Sequence, residues 1–182
     1  MSEGGWEASG LASGRVRARV RPMGNADLRQ VLELERALFP EDAWSEGMFR
    51  EELARQPESR RYLVAEDDDV LVGYGGLLVV GREADVQTIG VRRSQWGRGV
   101  GSALLSGLLH EAVRRGCDDV FLEVRVDNER ARAMYERFGF ETVDRRRGYY
   151  QPSGTDALVM RLSRPESTRA GWEDGDEREA RG

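Results

Sequence analysis

The residues Gln95-Trp96-Gly97-Arg98-Gly99-Val100-Gly101-Ser102 have the types and spacing to hold a phosphorylated ligand. They follow an extended run, Val86 to Val91, and open a helix expected over Ala103 to Arg115. Glycine has no Cβ, so alternate glycines let the backbone come close to a ligand. A helix start aims unpaired N–H groups and the positive end of its dipole at one point. Together these make a phosphate cradle. Two phosphate-loop readings are weak. A P-loop ends in Gly-Lys-Ser/Thr, and this chain contains no lysine; the dinucleotide fingerprint needs Gly-x-Gly-x-x-Gly, whereas Gly97, Gly99 and Gly101 alternate. A plain tight turn would not require three alternate glycines.

Four further groups could act on such a ligand. Glu123 interrupts an apolar strand, where period two puts it with Phe121 and Arg125 on one face and Val120, Leu122 and Val124 on the other. It is either an ion-pair partner of Arg125 or a general base beside the glycine turn, since the two strands are joined by the helix between them. Tyr135 sits at helical spacing with Ala131, Met134 and Phe138, as a core aromatic or as a phenol that protonates a leaving group. Asn128 either caps the helix it begins or holds a ligand amide. Arg145-Arg146-Arg147-Gly148-Tyr149-Tyr150 is the densest basic run, by default a solvated edge. Its two tyrosines could line a groove and hydrogen-bond a peptide backbone.

The elements that must position these groups follow from periodicity. Val16, Ala18 and Val20 alternate with arginines as in a half-buried strand. Asn25 is expected to cap a helix carrying Leu28, Val31, Leu32 and Leu38, stopped by Pro40; Ser45 caps a second, with Met48, Phe49 and Leu53 inward. Strands are expected over Tyr62 to Ala65, Val70 to Val80, 85–91 and Val120 to Val126. A short helix from Asn128 to Phe138 then ends at Gly139. Strands near 141–146 and 156–162 flank an irregular segment with Gly148, Pro152 and Gly154. Antiparallel strands, a βαβ unit, a helix and a hairpin make a mixed α/β sheet with helices on both faces.

Composition sets outer bounds. The 182 residues suit one domain, expected over 15–164, with Gly/Ser-rich residues 1–14 and charged residues 165–182 as disordered tails. Acidic residues (33) outnumber basic ones (28), against a dedicated nucleic-acid binder. One cysteine, Cys117, fits a reducing cytosol and a small core residue. His110, the single histidine, has no second His or Cys nearby, so no metal site is expected. No apolar run is long enough for a membrane span, and a cytoplasmic protein is expected.

Taken together these motifs resemble the GNAT superfamily of acyl-CoA N-acyltransferases. Within it they look most like the bacterial branch that acetylates ribosomal proteins at an N-terminal alanine. The resemblance runs from Arg15 to Ser163 through Phe39-Pro40, Trp44-Ser45-Glu46, Ile89-Gly90-Val91, Arg98-Gly99-Val100-Gly101, Leu122-Glu123-Val124-Arg125, Asn128, Met134-Tyr135-Glu136, Phe138-Gly139-Phe140 and Arg146-Arg147-Gly148-Tyr149-Tyr150. It implies a single domain with a central, mostly antiparallel sheet, and acetyl-CoA as co-substrate without a metal. It also implies that amides of Gly97, Arg98, Gly99, Val100, Gly101 and Ser102 bind pyrophosphate, that Ile89, Gly90 and Val91 pair with the pantetheine arm, and that Asn128 contacts CoA. Glu123 matches the general base and Tyr135 the general acid. Phe39, Trp44, Tyr149 and Tyr150 are expected around a peptide acceptor, a ribosomal protein N-terminus. The chain departs from the pattern with Trp96 where Gln or Arg is usual, with Glu41-Asp42-Ala43 inserted before Trp44, and with Gly148 where Asn is common. Two other functions are compatible with the motifs: acetylation of a small amine or lysine, and acyl-CoA binding without turnover.

Overall fold

The computed structural model describes residues 18–56 and 58–163; the expectations for Val16 and both tails lie outside the described residues. β1 (Arg19–Pro22) buries Val20. A 3-10 turn over Asn25–Asp27 leads into α1 (Leu28–Leu38). Asn25 does not cap it. Asp27 is the N-cap residue by position but its side chain makes no cap bond to α1; it accepts instead from the Gly24 N–H at 2.8 Å, closing the 3-10 turn, while Arg21 holds the same carboxylate at 2.7 Å. α2 (Glu46–Ala54) begins where the Ser45 hydroxyl accepts from the Met48 N–H at 3.2 Å. Phe49 and Leu53 are buried, but Met48 is exposed, because it lies one residue, about 100°, off their stripe.

β2 (Arg60–Asp67) and β3 (Val70–Val80) form a hairpin closed by Asp68 and Asp69, both at positive φ (47° and 62°). β4 (Glu83–Val91) follows, and α3 (Val100–Arg114) starts three residues before the expected Ala103, directly after Gly99. β5 (Asp119–Arg125), α4 (Glu129–Arg137), β6 (Glu141–Tyr150) and β7 (Thr155–Ser163) complete the described chain. The segment around Gly148 is not irregular, as its composition suggested. It stays in β6 as a bulge, and only 151–154 form the turn.

The sheet order is β1-β2-β3-β4-β5-β7-β6, with β4 and β5 the parallel pair. α3 and the Tyr135 side of α4 cover one face, over a core of Leu63, Leu77, Val86, Leu104, Leu105, Leu108, Leu122 and Met160. α1 and α2 cover the other, around Phe49, Tyr62, Val64 and Tyr74. Each apolar stripe read from the sequence therefore has a partner face.

One irregularity shapes the site. In the β3–β4 ladder Gly76 opposes Thr88 but Leu77 opposes Val86, so Gln87 is an extra residue. The β4–β5 pairing ends at Val86 opposite Leu122, at that same bulge. A bulge bends its strand and ends pairing locally. Beyond it β4 and β5 separate, and Gln87–Val91 face Glu123–Arg125 across a fork.

Candidate active site

The fork opens into a cavity of about 1450 Å³. Its walls contain Ile89, Gly90 and Val91 from β4, Glu123 from β5, Asn128 and Tyr135 around α4, and the whole turn from Gly97 to Ser102. Phe39, Trp44 and Tyr150 stand in the same wall. Of the run Arg145 to Tyr150 only Tyr150 is part of it; Tyr149, expected at the acceptor, is not.

At the glycine turn, Gly97 and Gly99 have φ of 76° and 84°, a conformation that costs a side-chain-bearing residue about 1 kcal/mol or more. Gly99 is the N-cap of α3, and its carbonyl accepts the first helical bond from the Ala103 N–H at 3.0 Å. The amides of Val100, Gly101 and Ser102 therefore lack an intrahelical partner, which is the donor set an anion needs. The Trp96 indole N–H donates to the Val91 carbonyl at 2.9 Å, tying the turn to β4. The guanidinium groups of Arg130 and Arg93 lie 4.5 and 5.4 Å from its ring centre. Among the described residues neither Arg93, Arg98 nor Arg130 has a carboxylate partner, so this mouth carries uncompensated positive charge.

Glu123 is half-buried. Its partner is not Arg125, which turns to Asp127 at 3.0 Å; it is Arg146, whose Nε lies 3.1 Å from Oε1. The same carboxylate, acting on the nearby Tyr149 hydroxyl, raises the phenol pKa above its usual value. Arg125 also lies 5.2 Å from the Tyr150 ring centre, holding that ring at the end of the fork. Burial pushes the Tyr150 phenol up to about 12. Tyr135 packs edge-on against Phe140 at 5.8 Å and is 7% exposed, in the cavity wall. Burial holds its phenol well above the ordinary value, so it is protonated throughout the neutral range. Asn128 Oδ1 accepts from the Ala131 N–H at 3.2 Å, so it caps α4 and still has its amide nitrogen for a ligand.

Two functional positions escaped the sequence reading. Glu35, 2% exposed, accepts from the Trp44 N–H at 2.9 Å and from the Tyr74 hydroxyl, and burial raises its carboxyl pKa. It braces the loop carrying Phe39 and Trp44. The Trp44 ring stacks at 5.3 Å on Phe49, which meets Tyr74 at 6.0 Å. A carboxylate on the apolar stripe of α1, three residues after Leu32 and three before Leu38, was the available signal. Arg146 is the other; as part of a basic run its default expectation is a solvated edge, and only the pairing of β6 and β5 with β7 brings it to Glu123. Beneath the fork a Cβ at Gly90 would come within 2.6 Å of the Tyr74 ring, so glycine there makes room for the brace. Among the described residues no cluster of His, Cys, Asp and Glu could hold a metal, and no helix is long and apolar enough to cross a membrane.

A sheet forked beside a glycine-rich helix start is the architecture of an acetyl-transferring enzyme. The chain belongs to the acetyltransferase (GNAT) family, whose model matches residues 28–140. It is 45% identical over 141 residues to N-alpha-acetyltransferase RimI of Mycobacterium tuberculosis, covering 75% of this chain and 86% of that one. It is 33% identical over 144 residues to the [ribosomal protein bS18]-alanine N-acetyltransferase of Salmonella typhimurium, covering 77% and 93%. The crystal structure of the ribosomal-protein-S18-alanine N-acetyltransferase from Escherichia coli superposes with a TM-score of 0.71 at 30% identity, over 80% of this chain and 93% of that one.

Proposed function

We propose that this acetyltransferase moves the acetyl group of acetyl-CoA to the α-amino group of a protein N-terminus, with a ribosomal protein beginning in Ala or another small residue as acceptor. The observation that carries the proposal is that Glu123 and Tyr135 line the same cavity as the anion cradle and the braced Phe39–Trp44 loop. The similarity to ribosomal-protein alanine N-acetyltransferases supports the acceptor class.

The reaction follows from these positions. The amides of Val100, Gly101 and Ser102, with the cationic mouth, receive the diphosphate. The unpaired edge of Gln87–Val91 offers N–H and C=O groups to the amide-bearing arm, and an N–H near Ile89–Gly90 polarises the thioester carbonyl. An α-amine has a pKa of about 7.7–8.0, so roughly a fifth is neutral near pH 7.2; a lysine amine at about 10.4 is neutral at less than about 0.1%. A modest base therefore serves the first and not the second. Glu123, directly or through a water, takes the proton as the nitrogen attacks. Tyr135, held protonated by burial, donates to the sulfur as the C–S bond breaks. A ribosomal acceptor supports the reading of a cytoplasmic reaction.

The test is turnover of Glu123→Gln at saturating acetyl-CoA. A fall in kcat of roughly 10²-fold or more, with acetyl-CoA affinity retained, is expected for a lost general base. Near-native kcat in a folded variant would assign Glu123 a structural role.

A further inference from the structure

We infer that the bulge at Gly148 in β6 is part of a positioning device for Glu123, in which it turns Tyr149 to the side where Arg146, in register opposite Ala157, grips the Glu123 carboxylate. The inference rests on the reading of Glu123 as base. Arg146 and Tyr149 are three residues apart, and in a regular strand residues at odd separation point to opposite faces. Here they do not. Arg146 opposes Ala157 and Tyr150 opposes Thr155, so four steps along β6 match two along β7. Gly148 absorbs the surplus with φ of +60°, in the left-handed region that favours glycine. Asp156 pins the bulge, accepting from the Gly148 N–H at 2.8 Å and pairing with Arg145 at 2.7 Å.

The outcome is a grip from one side of Glu123. Arg146 Nε sits 3.1 Å from Glu123 Oε1, and its guanidinium is 5.6 Å from the Tyr149 ring centre. Arg146 stands opposite Ala157 of β7 and reaches across that strand to Glu123. The other charged and titratable groups around Glu123 do not do this work. Asp85 on β4 is a second carboxylate, whose pKa is raised by burial and by the Glu123 charge. Arg125 on β5 is engaged with Asp127, and Tyr150 sits against Arg125. Arg146 is thus the cation that keeps Glu123 in place against Asp85. Misplacement of a reacting group by about 1 Å can cost up to ~10²-fold in rate, so orientation is where such a grip acts. The Arg146 side chain is 53% exposed, and ion pairs this open contribute little to folding. Its variants should therefore fold.

The test is a double-mutant cycle in kcat with a peptide acceptor: Arg146→Met, Arg146→Lys and Tyr149→Phe, each alone and combined with Glu123→Gln. Arg146→Met should lose roughly tenfold in kcat with the KM for acetyl-CoA unchanged, and Arg146→Lys should recover part of the loss. On the Glu123→Gln background Arg146→Met should cost nothing further. Native kcat for Arg146→Met, or an equal loss in both backgrounds, overturns the proposal while Glu123 remains the base. Native kcat for Glu123→Gln overturns the base reading, and the grip with it.

Discussion

Replacing Gly99 by Asp should abolish tight acetyl-CoA binding without unfolding the protein. Gly99 is the N-cap of α3 at φ of 84°, next to the three amides that face the cavity. Asp is among the few side-chain-bearing residues that visit this conformation routinely, so the backbone cost is small. The electrostatic cost is not. A carboxylate about 5 Å from a diphosphate of charge about −2 is repelled by roughly 1.7 kcal/mol in bulk water and by about 6–7 kcal/mol at an effective dielectric of 20. The mouth is open to solvent, so a value near the lower end, about 2–3 kcal/mol, applies. That is a roughly 30- to 150-fold rise in Kd. Titration calorimetry at about 50 and 300 mM salt reads both the loss and its cause, because screening should return part of the affinity at the higher salt. Gly99→Ala is the control: it carries a backbone cost of about 1 kcal/mol in stability but should bind within roughly threefold of native. A folded Gly99→Asp with native Kd would refute the cradle, and a loss indifferent to salt would refute its electrostatic basis.

Three further outcomes are expected. Tyr135→Phe removes a hydroxyl that no described residue hydrogen-bonds, so the melting temperature should hold while kcat falls roughly 10²-fold; unchanged kcat would make Tyr135 a core aromatic. Trp44→Ala deletes the ring that stacks on Phe49 at 5.3 Å, and should raise the peptide KM roughly tenfold with the acetyl-CoA KM unchanged; equal effects on both would place Trp44 outside the acceptor end. Glu111 is nearly buried, and although burial pushes its carboxyl up, hydrogen bonds from Arg114 and Arg115 outweigh that and bring its pKa down to about 2. Its folded pKa lies below the unfolded value of about 4.3, so its stabilisation is present above that pH and is lost as pH falls toward about 2. Glu111→Gln should cost about 1–3 kcal/mol in urea unfolding at pH 7 and converge with the native protein near pH 2, and curves equally spaced at both pH values would contradict this.

The parts of the fold set by local pattern were legible: the alternation in β5, the stripe of α1, the Ser45 cap, and the glycine turn that starts α3. Boundaries shifted where tertiary pairing decided them. β6 continues through Gly148 because Asp156 and the β7 ladder hold it, and no periodicity in Arg145-Arg146-Arg147 announces that. The candidate site divided in the same way. Main-chain chemistry at Gly97–Ser102 could be read from residue types, because glycine spacing and a helix start are local. The partner of Glu123 could not, since Arg125 is adjacent in its strand face and Arg146 reaches it from two strands away, across β7. Glu35 was hidden for a related reason. Its worth lies in a contact with a loop nine residues on and with Tyr74 across the sheet, and only the fold brings these together.

The measurement closest to the central claim is the site of acetylation on a peptide panel. Peptides differing in their first residue, and a lysine peptide with a blocked N-terminus, are incubated with the protein and acetyl-CoA, and fragment-ion mass spectrometry locates the added acetyl group. The expected result is acetylation of the first nitrogen on peptides beginning with Ala or another small residue, and none on the blocked peptide. Acetyl groups found only on lysine side chains, or turnover confined to a small free amine, would contradict the account.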